Sequence, residues 1–173
     1  DVLKNPSSYM TVLAHELSHA IEFAVNGTTG KTLELFGELT AEEKKTITAE
    51  LKEIVNNIEG AELAATDPSY FYKPTEMLAR YVETLLLSPG GATDSKGNVT
   101  NTVAKQLAPV TTEKFEQAIV RHSAIGDLIE AVNGTLKDKS KIHAPKWWLD
   151  MRQIYQKHLG KQVGSIAYGA EVV

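Results

Sequence analysis

Two histidines stand four residues apart, with a glutamate directly after the first, in His15-Glu16-Leu17-Ser18-His19. On an α-helix this spacing sets the imidazoles about 40° apart on one face and about 6 Å apart along the axis, so both offer a nitrogen to one metal ion. Glu16 then lies about 100° round from His15, beside such an ion rather than on it. Neutral imidazoles suit Zn2+, and a carboxylate in that place takes a proton from water on the metal, which is general-base chemistry. The chain contains no cysteine. Any metal must therefore be held by His, Asp or Glu, and neither thiolate sites nor disulfides arise.

A zinc site that performs chemistry needs a third protein ligand and an open fourth position. The other histidines, His122, His143 and His158, are far from the pair in sequence, and none follows His19 at the spacing of the extended three-histidine motif. Two carboxylates compete for the third place. Glu22 lies within about 20° of the His15 face but about 10 Å away along the axis, which suits a supporting or salt-bridging role. Glu76 is the preferred ligand, at the start of a later helix where an acid also suits the helix dipole. Glu76, Arg80 and Glu83 form a polar stripe with the spacing of His15, His19 and Glu22. Two helices packed with these stripes facing bring Glu76 to the histidines, with Glu83 as reserve ligand or supporting acid. The plain alternative is an ordinary exposed Glu76–Arg80 pair.

The histidine motif, followed later by Lys73-Pro74-Thr75-Glu76-Met77-Leu78-Ala79-Arg80, resembles the gluzincin class of zinc metallopeptidases. More narrowly, it is similar to zincin-like domains embedded in large multidomain proteins of phages and mobile elements. The likeness covers roughly residues 6–87. It implies His15, His19 and Glu76 as zinc ligands, Glu16 as catalytic base, and a peptide or protein substrate. The Asn-Glu-x-x-Ser-Asp form of the gluzincin glutamate motif is absent, which leaves the subfamily open. Peptide hydrolysis also needs a donor to the developing oxyanion. Tyr70, Tyr72 and Arg80 stand near Glu76 in sequence, with packing roles as the alternative for the tyrosines. His143 is a remote candidate of the same kind.

The elements that must position these residues read as helices, giving a mainly α fold with little or no β-sheet. Ser7 or Ser8 caps a first helix that runs to about Asn26 and stops at Gly27, burying Leu13, Leu17, Ala20 and Ala24. Thr40-Ala41-Glu42-Glu43 is a capping box opening a helix to about Gly60, with Ile47, Leu51, Ile54, Val55 and Ile58 inward. Pro74 opens a third helix through Met77, Leu78, Tyr81, Val82 and Leu85 to the Ser88-Pro89-Gly90-Gly91 break. Residues 90–102 read as a loop or hairpin. Thr111 or Thr112 caps a helix with apolar Phe115, Ile119 and Val120, and another spans Ile125 to Val132, ending at Asn133-Gly134. A last helix starts near Pro145 with Trp147 and Trp148, which serve as core anchors or as part of a substrate pocket. Val163 to Val173 reads as a strand or tail. The resemblance also implies an edge strand for substrate ahead of the histidine helix. The residues before that helix here leave no room for it, so the sheet was cut away, another segment such as Val163 to Val173 supplies it, or substrate binds without one.

The whole reads as one domain over residues 1–173, with metal-binding helices in 1–90 and a C-terminal helical part in 105–160. A start at Asp1 rather than Met points to a piece of a larger polypeptide, whose remainder is an expected partner. The net charge of −4, with basic residues scattered, argues against a nucleic-acid partner. No apolar run nears the ~20 residues that span a bilayer. The compartment stays open, with a soluble cytoplasmic or virion-associated setting expected. Asn26, Asn98 and Asn133 begin triplets that match glycosylation acceptors and equally well serve as turns. Besides the peptidase reading, two others are open: a helical binding or structural module with a structural or vestigial zinc site, and a metal-free helical interaction domain.

Overall fold

In the computed structural model, residues 6–27, 31–86 and 92–137 are described, with side chains for 14–27, 31–86 and 92–130. Helix α1 (Pro6–Asn26) ends where Gly27 takes φ +62° and donates its N–H to the Phe23 carbonyl at 3.0 Å. Glycine enters that left-handed region without the steric cost a Cβ imposes. A 3-10 helix, Thr32–Phe36, buries Leu35 and Phe36. It was not legible as an element because its apolar pair is too short to show a period.

Helix α2 (Ala41–Glu59) begins with both halves of the capping box. Glu43 N–H donates to Thr40 Oγ1 at 3.0 Å, and Thr40 N–H donates to Glu43 Oε1 at 2.9 Å. Ile47, Leu51, Ile54 and Val55 are buried, with Ile58 packed at the edge. Gly60, at φ +90°, closes α2 and leads into two short helices, α3 (Ala61–Thr66) and α4 (Pro68–Phe71).

Helix α5 (Pro74–Leu86) is the central element and packs most extensively on α1 and α2. Its apolar stripe of Met77, Leu78, Tyr81, Val82 and Leu85 is buried, and Arg80 and Thr84 are buried with it. The helix is thus covered on more than its apolar face, which is why a charged residue on it must find its partners inside the protein.

After α5, Thr93 and Val99 form an isolated antiparallel bridge, the described residues' one trace of β structure. The Asp94 carboxylate holds this turn by accepting the backbone N–H groups of Lys96 and Asn98, each at 2.9 Å. Those bonds hold its carboxyl below the usual range. Helix α6 (Thr102–Leu107) is capped by Asn101, whose Oδ1 accepts Ala104 N–H at 2.9 Å.

Helix α7 (Pro109–Arg121) starts earlier than the threonines suggested. Pro109 occupies the first turn, and Thr111 and Thr112 are buried inside it rather than capping it. The cap comes from α2: Glu50 accepts Val110 N–H at 3.1 Å, Thr111 N–H at 2.7 Å and the Thr111 hydroxyl at 2.8 Å. A carboxylate at a helix N-terminus satisfies orphan donors and favours the dipole. Thr112 Oγ1 instead lies 2.8 Å from the buried Tyr81 hydroxyl and donates to the Ala104 carbonyl at 3.2 Å. Phe115 meets Tyr81 edge-on with ring centroids 5.6 Å apart. Val120 is 81% exposed, while Ile119 packs on the core.

Helix α8 (Ser123–Lys137) continues through Asn133-Gly134, where a stop was expected. A glycine inside a helix costs only about 1 kcal/mol relative to Ala. Packing of Ile125, Leu128 and Ile129 against the core, with α1 and α7 as neighbours, anchors this helix before that point. The protein is mainly helical, as its periodicity predicts. No helix among the described residues is long and apolar enough to cross a membrane. The segments read as a Pro145 helix with Trp147 and Trp148, and as a strand over Val163 to Val173, lie outside the described residues, as do His143 and His158.

Candidate metal centre

The histidine motif lies in the middle of α1, where Ala14, Leu17, Ala20 and Ile21 fix the helix on the core. That anchoring fixes the direction of the neighbouring polar positions. Glu16 is 1% exposed, His15 is half-buried and His19 faces solvent. The two imidazoles have centroids 6.4 Å apart and planes tilted by 52°. They share one side of the helix, as four-residue spacing requires.

Packing of α1 on α5 brings the third expected residue to the first. Glu76 Oε2 lies 3.6 Å from His15 Nε2, with side-chain exposures of 18% and 30%. Glu22 takes a different role: it accepts the Thr75 hydroxyl at 2.8 Å, tying the end of α1 to the first turn of α5 beside Glu76. Seven residues along a helix carry Glu22 about 10 Å past His15, which is why it meets Thr75 rather than the His15–Glu76 gap.

Arg80 is buried between two acids. Its Nε donates to Glu59 Oε1 at 2.8 Å, and its Nη1 lies 3.6 Å from Glu76 Oε2. Burial alone lowers the guanidinium pKa, but the Glu59 bond and charge, helped by Tyr70 and Glu76, more than offset it and hold Arg80 firmly cationic. Glu83 is half-buried. Desolvation pushes its carboxyl up, Arg80 and His15 pull it down, and Glu59 pushes it up. Glu59, Glu76 and Glu83 thus share one guanidinium, an excess of acid that favours a further cation nearby.

Of the two tyrosines, Tyr72 is committed to α2. Its hydroxyl donates to Asn56 Oδ1 at 2.7 Å, and Lys52 Nζ sits 5.5 Å from its ring centroid. Tyr70 is 44% exposed, packs edge-on to Phe71 and lies near enough to Arg80 to favour its charged form. His122 stands at the C-terminal end of α7.

Glu59 and Thr75 were not singled out in the sequence. Thr75 carried no signal, since threonine is common in a first helical turn. Glu59 carried one: it closes α2, where a negative charge opposes the helix dipole, so an acid there calls for a cationic partner from elsewhere.

The donor set fits a divalent ion in part. Glu76 Oε2 is buried without a hydrogen-bond partner among the described residues, and it faces His15 Nε2 at 3.6 Å. Two ligands on a tetrahedral zinc are about 3.3 Å apart, given bonds near 2.0–2.1 Å. His15 and Glu76 are thus spaced as two ligands are. Among the described residues no three metal-ligating side chains converge as they stand, and His19 faces solvent. Neither protein-family models nor curated proteins nor solved structures give a match to this chain.

Proposed function

We propose that the chain is a zinc-dependent peptidase of gluzincin-like type, with His15, His19 and Glu76 as ligands and Glu16 as general base. The observation that carries this reading is the 3.6 Å approach of His15 Nε2 to a buried Glu76 oxygen that no described residue hydrogen-bonds. His19 is exposed, so its ring is the member of the ligand set with freedom to turn toward the metal when it binds. Zinc, when bound, supplies the Lewis acidity that makes water nucleophilic near neutral pH.

Glu16 follows His15 directly on α1 and is shielded from solvent. From there it takes the proton of the attacking water and returns it to the leaving amine. Tyr70 is the better donor to the oxyanion, being solvent-facing, whereas the Tyr72 hydroxyl is committed to Asn56. Arg80 does not meet substrate in this reading, since it is buried and bonded to Glu59. Substrate is a peptide or protein segment, and the remainder of a longer polypeptide is the expected partner.

A second reading has its own observation. The Glu59–Arg80–Glu76–His15 chain of polar contacts is continuous without a metal, as in a helical module whose buried charges only fix the packing. The test is zinc quantitation paired with hydrolysis of a peptide library by wild type and Glu16→Gln. The peptidase reading expects near-stoichiometric zinc in both and a rate lowered about 10²–10⁴-fold in the variant. Hydrolysis surviving in Glu16→Gln removes Glu16 as the base. Zinc bound without any hydrolysis in wild type leaves a structural site, and absence of zinc leaves the packing module.

A further inference from the structure

We infer that Glu59 is a positioning residue for the metal centre: by holding Arg80 at 2.8 Å it keeps the guanidinium from closing on Glu76 and leaves Glu76 Oε2 to a divalent cation. The inference rests on the metal-dependent reading above. Three observations carry it. Arg80 Nη1 is buried and lacks a hydrogen-bond partner among the described residues, and so does Glu76 Oε2. The two atoms stand 3.6 Å apart, just beyond hydrogen-bond range, so each is the nearest remedy for the other. What prevents their closure is the short bond from Arg80 Nε to Glu59, which fixes the guanidinium plane from the α2 side.

An arginine and a carboxylate on one helix, four residues apart, close readily into a two-bond fork. A Glu76 closed in that way would have to break charge-assisted bonds before binding a metal. Glu59 removes this competition without touching the ion, and it also compensates the Arg80 charge that would otherwise repel a cation. The three residues come from two helices, α2 and α5, so the arrangement also couples the α2–α5 contact to the metal site.

The experiment is a zinc titration of the full chain, by competition with a chromophoric chelator, for wild type, Glu59→Gln, Arg80→Gln and the double variant. Co2+ absorption serves as a second readout of the ligand set. Glu59→Gln is expected to weaken zinc binding about 10–100-fold, the usual scale for groups that orient a ligand. Arg80→Gln and the double variant are expected to bind alike, because Glu59 acts through Arg80 and has nothing to restrain once it is gone. Equal affinity of Glu59→Gln and wild type overturns the inference. So does the same loss in both backgrounds, which marks a general structural effect. Wild type that takes up no zinc overturns the metal reading and this inference with it, before any variant is compared. If Glu59→Gln does not fold, Glu59→Asp keeps the charge with a shorter reach; a severalfold weaker affinity supports the inference and an unchanged one overturns it.

Discussion

Truncating Glu76 separates a metal centre from a packing network, because the two demand different things of the protein with and without zinc. Glu76 Oε2 is 3.6 Å from both His15 Nε2 and Arg80 Nη1, and the side chain is partly exposed. Contacts of that length and exposure contribute roughly 0–1 kcal/mol. Arg80 keeps its 2.8 Å bond to Glu59 when Glu76 is removed, so no buried cation is stranded. Glu76→Ala should then lower the melting point in chelator by only about 2–4 °C, the shift that 1 kcal/mol produces in a domain of this size. With zinc the balance changes. Structural zinc binding of roughly 10–16 kcal/mol shared over four ligands puts one ligand at about 3 kcal/mol. That is about two orders of magnitude in Kd. At zinc concentrations about 100-fold above the wild-type Kd, the metal raises stability by about 2.7 kcal/mol, and Glu76→Ala should lose most of that increment. The assay is thermal unfolding in chelator and in buffered zinc, with bound metal counted by elemental analysis. Two results refute the reasoning: zinc affinity unchanged in Glu76→Ala, or an equal stability loss with and without zinc.

Two further perturbations test the scaffold around the site. Glu50→Ala removes the three bonds that cap α7 from α2, and it should cost about 2 kcal/mol, the upper end for a lost cap. Urea unfolding should show a lower midpoint with an unchanged slope, and an unchanged midpoint would mean that the cap adds nothing. Glu43 has its carboxyl held below the usual range, chiefly by the Thr40 backbone N–H and then by Lys114. Its contribution is therefore present above the unfolded pKa of about 4.3 and is lost as pH falls through the lower folded value. Stability curves of wild type and Glu43→Gln should differ near neutrality and converge in acid; a constant gap across pH would contradict this.

Local signals made three helices legible in advance. Thr40 and Glu43 are three residues apart and bond each other, so the start of α2 depends on nothing distant. Gly27 ends α1 and Pro74 opens α5 for equally local backbone reasons. Where the deciding partner was remote, reading by neighbours went astray. Thr111 looked like a cap, but the cap is Glu50, on another helix. A stop was expected at Asn133-Gly134, but α8 runs through it. In each case packing outweighed a local preference worth about 1 kcal/mol or less.

The metal-type motif divides the same way. Sequence alone determined that His15, Glu16 and His19 share a helix and that only His, Asp or Glu could join them, because i, i+4 geometry and residue chemistry are local properties. Only the tertiary structure decided that Glu76 approaches His15 while Glu22 engages Thr75, and that Arg80 is held back by Glu59. Those distances follow from how α1 and α2 seat against α5. The seating is set by the buried faces of all three helices together, and no short stretch of chain encodes it.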